Sequence, residues 1–330
     1  MHRLNNEVSL LTICKTLLHQ CWERAAHTRD SCVNNPRKEV NQLFWMEDHK
    51  MKKVALVTDS TADLTEEIIR EYDVHVIPLK VRFSDREYTD GELSSNEFYH
   101  QLSNTDVLPK TSQPSPEKFR KVYEALLAEY SEVVSIHLSS GLSGTINAAQ
   151  LGKEGLKGQV YIVDSKCISL GAGLLVSEAG RQIKKGLSGM ELLKKLATAR
   201  RNIETLFTVN TLEYLQKGGR IGKVNSLVGS LLNIKPIVRV GDDGIYHTQG
   251  LARSQTKALQ HMVKAFQNLA KGRRQIKLAV AHGAAEEAGL YLKELLEKTF
   301  QLSTTVFTQV GPVIGVHTGP GTIGAAIQFE

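Results

Sequence analysis

The segment LSSGLSGT at residues 138–145 carries residue types suited to binding an anion. It follows an apolar run over residues 133–138 and precedes a segment of helical character that starts near Thr145. The first backbone N–H groups of a helix have no partners within it, and the helix dipole favours a negative charge beside them. Glycines allow close approach of the backbone, and serine hydroxyls add donors. The segment therefore predicts a bound anion.

A second hydroxyl-rich loop, KTSQPSP at residues 110–116, also precedes a predicted helix. Ser115 suits the N-cap, Pro116 suits the first helical position, and Glu117 adds a negative charge to the first turn. A capped helix is enough to explain this loop by itself. Two hydroxyl-rich loops in one chain favour the anion-site hypothesis more strongly than either loop alone.

Alternating strands and helices in the first part of the chain would position these loops. Apolar runs predict strands at residues 54–58, 74–79, 133–138 and 160–164, with helices between them. Thr61 or Asp63 is expected to cap the first helix, and residues 82–92 are polar and rich in turn formers. The alternation predicts a parallel sheet with helices on both faces, and such sheets bind ligands at the carboxyl ends of their strands.

The second part of the chain has a different pattern of elements. Asp243-Gly244 separates two apolar runs and predicts a hairpin, while a short apolar helix is expected at residues 226–232. Hairpins mixed with helices predict an α+β arrangement with helices on one face of the sheet. We place a domain boundary near residue 203, which gives domains at residues 52–203 and 204–330.

Composition limits the function classes. The chain has 330 residues, 41% of them hydrophobic and 23% charged, which suits two ordinary globular domains. Its net charge of +6 comes from scattered Lys and Arg residues, so nucleic-acid binding is disfavoured. No apolar run approaches the length of a membrane span and we identify no signal peptide, so the expected location is the cytoplasm.

Residues 1–50 differ from the rest of the chain. They contain both tryptophans and three of the four cysteines, at spacings that match no zinc-finger pattern. We expect a poorly structured N-terminal extension, with a natural chain start at Met51.

Seven segments taken in series resemble the DegV family of bacterial fatty-acid-binding proteins, which includes the lipid-binding subunits of fatty acid kinase. They are VALVTDSTADL (54–64), KTSQPSPEKF (110–119), LSSGLSGT (138–145), VDSK (163–166), LEYLQKGGRIG (212–222), LLNIKPIV (231–238) and GPVIGVHTGPGTIG (311–324). The resemblance covers residues 52–330. It implies a two-domain α/β fold, with an N-terminal parallel-sheet α/β domain and a C-terminal α+β domain with a mixed or antiparallel sheet.

The resemblance implies that a long-chain fatty acid, such as palmitate or oleate, lies between or within the two domains. The positions that match the family's carboxylate-binding loops are Thr111 and Ser140, with Ser112, Ser139 and Gly141 adjacent, and His317 matches the family's histidine. Arg220 matches a family arginine, and Arg253 is a further candidate.

The family consists of carriers, so no catalytic residue, metal or cofactor is expected. The expected partner is a separate kinase that uses ATP to make acyl-phosphate.

The acyl chain would supply most of the affinity. About 15 methylenes at roughly 0.8 kcal/mol each give on the order of 12 kcal/mol before ordering costs. Leu227, Leu231 and Ile234, with Val228 and Leu232, form an apolar stretch that is a candidate lining for the chain. Ordinary core packing explains these residues equally well.

Three alternatives stay open at this point. A hydrolase would use Ser140 or Ser143 as nucleophile, but the spacing does not fit a G-x-S-x-G elbow and no Asp/His pair is placed by the sequence. A phosphotransferase would use the Ser/Gly turn for phosphate, but there is no G-x-x-x-x-G-K-[ST] motif. Asp59 and Asp164 are better explained as caps or turn residues. A lipid sensor without a kinase is the third, and Arg220, Lys223 and Arg253 would then face an acidic partner or solvent.

Overall fold

The computed structural model describes residues 52–227 and 234–330. The strands in these segments are β1 (Lys52–Asp59), β2 (Val74–Ile77), β3 (Lys80–Arg82), β4 (Glu87–Thr89), β5 (Lys110–Ser112), β6 (Tyr130–His137), β7 (Gln159–Asp164), β8 (Ile203–Thr208), β9 (Lys235–Val240), β10 (Tyr246–Ala252), β11 (Gln275–His282), β12 (Val306–Gln309) and β13 (Ile323–Phe329). The α-helices are α1 (Glu66–Tyr72), α2 (Ser95–Ser103), α3 (Pro116–Leu127), α4 (Thr145–Lys153), α5 (Leu170–Lys184), α6 (Gly189–Arg201), α7 (Glu213–Lys217), α8 (Gln255–Ala270), α9 (Glu286–Phe300) and α10 (Pro312–Thr318). Short 3₁₀ helices lie at Ser60–Ala62 and Gly222–Leu227.

The first sheet is parallel throughout, with strand order β2-β1-β6-β7. Alternate residues of β1 are buried on opposite faces of the sheet. Ala55 and Val57 pack with α3 and α4, whereas Val54 and Leu56 pack in the layer that contains α5. Both faces of the sheet are therefore covered, which confirms the predicted parallel sheet between two helical layers.

The second sheet is mixed, with strand order β10-β9-β8-β13-β11-β12 and β11 parallel only to β12 among its neighbours. Helices α8 and α9 cover one face, as expected. The other face contacts α5, which also contacts β1 and β6 of the first sheet. The expectation of helices on one face alone was wrong, because every residue of α5 from Leu170 to Gly180 is buried and the helix packs against both sheets.

A third sheet has the order β4-β3-β5: β4 lies within residues 82–92, which looked only polar and turn-rich, and β5 lies within the predicted loop at residues 110–116. Its strands have three residues each, too few for the alternating pattern that marks a strand. Val81 of β3 is buried and pairs with Thr111 of β5, so the two side chains share one face of the sheet. This pairing fixes where the Thr111 hydroxyl lies.

Helix α10 forms within the glycine-rich motif at residues 311–324, where no helix was predicted. Pro312 occupies its first turn and Gly319, at φ +73°, ends it. Inside the helix, a methyl group on Gly315 would lie 2.5 Å from Phe98 Cε1, so glycine is what allows α2 and α10 to approach. Helix α10 carries His317.

The predicted cap of α1 was wrong. Its N-cap is Thr65, while Thr61 lies in the 3₁₀ turn and Asp63 adopts the left-handed conformation after that turn. Ser115 does cap α3 by accepting a hydrogen bond from the Lys118 N–H, as predicted. The hairpin at Asp243-Gly244 is also confirmed, since β9 and β10 pair antiparallel.

The domain boundary near residue 203 stays a prediction: β8 begins there, yet the described residues pack as one compact unit. The expected extension at residues 1–50 and the residues Val228, Leu231 and Leu232 lie outside the described residues. Within the described ranges, no helix combines the length and the apolar character needed to cross a membrane.

Candidate functional site

Two residues far apart in the chain meet at the centre of the site. The hydroxyl of Thr111 lies 2.8 Å from Nε2 of His317, although 206 positions separate them. Thr111 comes from β5, where its neighbours Lys110 and Ser112 face solvent, and His317 comes from the last turn of α10. The third sheet and α10 therefore lie side by side, and this contact joins them.

Arg220 lies beside this pair, at the end of a tight turn. Its Nη1 donates to the Gly218 carbonyl at 2.8 Å and its Nε donates to the Leu142 carbonyl at 3.2 Å. The guanidinium thus ties the turn after α7 to the segment 138–145. A side chain on Gly218 would collide with Nδ1 of His317, so glycine at this position lets the imidazole ring lie against the turn.

The electrostatics keep His317 uncharged near neutral pH. Burial, together with the positive charge of Arg220, lowers the pKa of His317 to about 4. A neutral imidazole carries one N–H, so Nε2 either donates to Thr111 or accepts from it. Among the described residues, Nδ1 of His317 has no hydrogen-bond partner.

These groups line one of two adjoining chambers. The first chamber, with an empty volume of about 380 Å³ including the space open to solvent, contains Thr111, Ser143, Arg220 and His317 among apolar side chains. A second chamber, of about 410 Å³, shares Ile168, Tyr246, Ile314 and Thr318 with the first. Further lining comes from Leu170, Leu206, Phe207, Ala281, Val310 and Ala325. The two chambers therefore adjoin at these four residues, and we call the first, which contains Arg220 and His317, the polar end.

Hydroxyls in the second chamber are largely committed to the protein. Thr318 donates to the Ile314 carbonyl and Thr322 donates to the carbonyls of Thr318 and Gly319. The chamber therefore presents mainly carbon to an occupant. A third space, of about 630 Å³ with its open side included, begins at Thr111 and His317 and is bordered by Lys110 and Lys217. It shares Thr111, Arg220 and His317 with the first chamber, and we call it the outward mouth.

The segment 138–145 uses most of its hydroxyls locally. Ser139 is buried and its hydroxyl accepts from the Gly141 N–H at 3.1 Å. Ser140 is exposed; its hydroxyl donates to Asp164 at 2.5 Å and accepts from Lys166 at 2.9 Å. Ser143 is the serine of this segment that lines the first chamber, with Oγ 2.9 Å from Thr145 Oγ1.

The structure thus brings Thr111, His317 and Arg220 together in the lining of the first chamber. Among the other candidates, Ser112, Gly141 and Arg253 are exposed and do not line the two chambers. Ile234 is half-buried outside the chamber walls, and Leu227 ends the second 3₁₀ helix.

Sequence reasoning missed Tyr246, which borders both chambers and whose burial raises the pKa of its hydroxyl. The only local signal for Tyr246 was its place beside the predicted hairpin.

A buried Ser–His–Asp arrangement does exist, but elsewhere. His137 Nδ1 lies 2.9 Å from Asp59 and its Nε2 lies 2.7 Å from Ser135, which also accepts from Tyr123. All three members of the arrangement are at most 1% exposed. A substrate cannot reach Ser135, and this Asp/His pair does not contact Ser140 or Ser143, which weighs against the hydrolase hypothesis.

The carboxylates named for a phosphotransferase are also engaged. Asp59 accepts from Thr61 and Leu138 as well as contacting His137. Asp164 accepts from Ser140 and pairs with Lys166 at 2.8 Å. In the part of the chain that the structure describes, no group of three or more His, Cys, Asp or Glu residues has a metal-binding arrangement.

Comparison with known proteins gives one consistent result. A family profile described as "Uncharacterised protein, DegV family" matches residues 53–330. A DegV domain-containing protein of Clostridium acetobutylicum is 37% identical over an alignment that covers 84% of this chain and 99% of the relative.

Solved structures share the fold. A fatty-acid-binding DegV family protein from Thermus thermophilus is 36% identical with a TM-score of 0.79, and the match covers 84% of this chain and 100% of that one. DegV of Bacillus subtilis, described as a fatty acid binding protein, is 33% identical with a TM-score of 0.77, covering 85% of this chain and 100% of that one. The parallel sheet and the mixed sheet match these structures, and the chain belongs to the DegV family.

Proposed function

We propose that this protein binds one long-chain fatty acid, with the carboxylate beside Thr111, His317 and Arg220 and the acyl chain in the apolar chambers. The observation that carries this proposal is the contact between Thr111 and His317 at the polar end of an otherwise apolar cavity. A fatty acid has the same division into one anionic group and a long apolar chain.

The chemistry of the polar end suits a carboxylate. When neutral His317 donates its Nε2–H to Thr111, the Thr111 hydroxyl proton is free to donate to the ligand. Arg220 contributes a positive charge, and hydrogen bonds to a carboxylate are stronger than those between neutral groups. Ser143 adds a second hydroxyl at the chamber wall.

Relatives support this assignment. Besides the Thermus and Bacillus proteins, a relative from Eubacterium ventriosum described as stearic acid-binding is 29% identical with a TM-score of 0.76, over 84% of this chain and 98% of that one. The acyl chain would contribute on the order of 12 kcal/mol before ordering costs, far more than the carboxylate contacts. Loss of a single polar contact should therefore weaken binding and leave the lipid bound at high concentration.

We propose further that the protein is a cytoplasmic carrier and not itself a catalyst. A separate fatty acid kinase would reach the carboxylate and transfer phosphate from ATP to it. The outward mouth supports this, because it begins at the Thr111–His317 pair and has Lys110 and Lys217 at its border. Exposed cations at this border suit a partner that brings a nucleotide polyphosphate.

Lipid mass spectrometry after denaturing extraction tests the binding proposal. We expect near-stoichiometric fatty acid in purified protein, or uptake of added oleate by delipidated protein. A protein that is empty and takes up neither oleate nor palmitate would reject it. The carrier proposal is tested separately, by adding a fatty acid kinase and ATP to the oleate complex. Acyl-phosphate that forms when either the kinase or the oleate complex is left out would contradict the carrier proposal.

A further inference from the structure

The carboxylate of Asp63 connects three distant parts of the chain. Its Oδ1 accepts from the Gly311 N–H at 3.0 Å, and its Oδ2 accepts a short hydrogen bond from the Ser169 hydroxyl. These partners lie 248 and 106 positions away. The residue as a whole is half-buried, but its carboxyl group is enclosed by protein. Asp63 itself lies in the left-handed conformation at φ +46°.

Both partners begin helices that form the walls of the cavity. Gly311 is the N-cap of α10, which carries Ile314, His317 and Thr318 into the chambers. Ser169 is the N-cap of α5, and its neighbours Ile168 and Leu170 line the second chamber. The same side chain therefore holds one end of each wall.

The backbone at Ser169 shows that this attachment bears strain. Ser169 has φ +50°, a strained conformation for a serine that persists only where surrounding contacts impose it. Those contacts come from the turn that contains Asp63, since the Ser169 N–H donates to the Thr61 carbonyl at 2.9 Å and its hydroxyl donates to Asp63. The turn at residues 60–63 thus fixes the start of α5 through two separate bonds.

We propose that Asp63 is a positioning residue for carboxylate binding: its ionised side chain anchors the N-termini of α5 and α10 and so sets His317 opposite Thr111. This inference rests on the proposed fatty-acid function. Asp63 does not touch the ligand site, and its effect is transmitted along α10, a rigid element of two turns. Loss of the charge weakens both anchoring bonds, because hydrogen bonds to a charged acceptor are stronger than neutral ones.

The surroundings make this anchor sensitive to pH. Burial is the main cause that raises the pKa of Asp63 to about 7, the negative charges of Asp90 and Asp59 raise it further, and the bonds from Ser169 and Gly311 lower it. Burial, together with the negative charge of Asp63, raises the pKa of the Tyr99 hydroxyl of α2. The side chain is therefore ionised at pH 8 and mostly neutral at pH 6. Fatty acid affinity should fall as the pH decreases through this interval.

Titration with [1-¹³C]oleate at pH 8 and pH 6 tests the proposal, because the carboxyl resonance reports both occupancy and the environment of the head group. We expect the unaltered protein to lose affinity by about threefold or more at pH 6. Asp63→Asn, which resembles the protonated side chain in shape, should show the low-pH affinity and carboxyl shift at both pH values. Asp85→Asn, an exposed residue with the same change in charge, is the matched control and should retain the normal pH dependence.

The outcomes are separable. Asp63→Asn with the same affinity, carboxyl shift and pH dependence as the unaltered protein would overturn the positioning role while leaving the fatty-acid proposal intact. Failure of the unaltered protein to bind oleate at pH 8 would reject the fatty-acid proposal itself. If Asp63→Asn does not fold, Ser169→Ala replaces it, since it removes one of the two bonds and keeps the charge. That variant should give a partial loss of affinity at pH 8, and an unchanged affinity would count against the anchor.

Discussion

The two hydroxyl-rich loops look alike in sequence and are used differently in the fold. Thr111 of the loop at 110–116 extends from a strand and contacts His317 of a distant helix. In the segment 138–145, Ser139 and Ser140 bond to Gly141, Asp164 and Lys166 instead. Serine hydroxyls beside turns and helix starts readily find partners in their own neighbourhood. A hydroxyl is therefore available to a ligand only where a long-range contact, or a cavity wall, keeps local partners away.

The largest effect should come from closing the space that admits the His317 ring. Gly218→Ala would place a methyl group against Nδ1 of His317 and within 2.8 Å of the Tyr214 carbonyl, so the ring must move away from Thr111. We expect oleate affinity to fall by more than about tenfold, measured by titration of delipidated protein. Gly250→Ala is the control, because a methyl group there meets only Ile237 at an ordinary 3.5 Å. Equal affinity of the two variants would show that the position of His317 does not affect ligand binding.

Removing the Thr111 hydroxyl should have the next largest effect. Thr111→Val keeps the shape of the side chain, deletes one donor to the carboxylate and leaves Nε2 of His317 without a partner. A loss of about 1.4 kcal/mol, or tenfold in oleate affinity, is expected. Thr198→Val makes the same change on the exposed face of α6, where the hydroxyl bonds only to the Lys194 carbonyl. If both variants bind oleate equally, the Thr111 hydroxyl does not contact the ligand.

How much of this site can be predicted from the sequence depends on how far apart along the chain the contacting residues lie. Short-range patterns predicted the buried strands of the first sheet, the Ser115 cap and the turn at Asp243-Gly244. Family resemblance named Thr111 and His317, and the structure brings them together. The patterns carry this information because burial, capping and turn geometry act within a few residues of one another.

The rest depends on contacts that no local pattern contains. The three-residue strand β5 is fixed by pairing with β3, and α10 forms in a glycine-rich segment because Gly315 lets Phe98 approach. Ser143 lines the first chamber whereas Ser140 bonds to Asp164, and the folded conformation of the loop decides this difference. Asp63 looked like a helix cap, and it holds the starts of two other helices. Tertiary packing decides all four cases.

The uncharged state of His317 predicts a modest dependence of stability on pH. With a folded pKa of about 4 and an ordinary value near 6.5, the unfolded chain takes up a proton first as the pH falls. Stability attributable to His317 is therefore complete above about pH 6.5 and is lost as the pH decreases toward 4. Because the residue is only half-buried, we expect a contribution of about 1 kcal/mol between pH 7 and pH 5.

Urea unfolding of the unaltered protein and of His317→Gln, each at pH 7 and pH 5, measures this contribution as a difference. The difference is needed because Asp63 acts in the opposite direction: its raised pKa makes the folded state gain stability as the pH falls through about 7. The unaltered protein should lose about 1 kcal/mol more than His317→Gln. Equal losses in the two proteins would mean that the imidazole has the same pKa in the folded and the unfolded chain.

The smallest effect distinguishes the two serines of segment 138–145. The cavity wall predicts that Ser143→Ala weakens oleate binding by about threefold, since its hydroxyl can accept from Thr145 and donate to the ligand, whereas Ser140→Ala leaves affinity unchanged. Family resemblance predicts the reverse order. Parallel titrations of both variants decide between them. A loss at Ser140 would require its bonds to Asp164 and Lys166 to break when the ligand binds, so the segment would then behave as an anion loop after all.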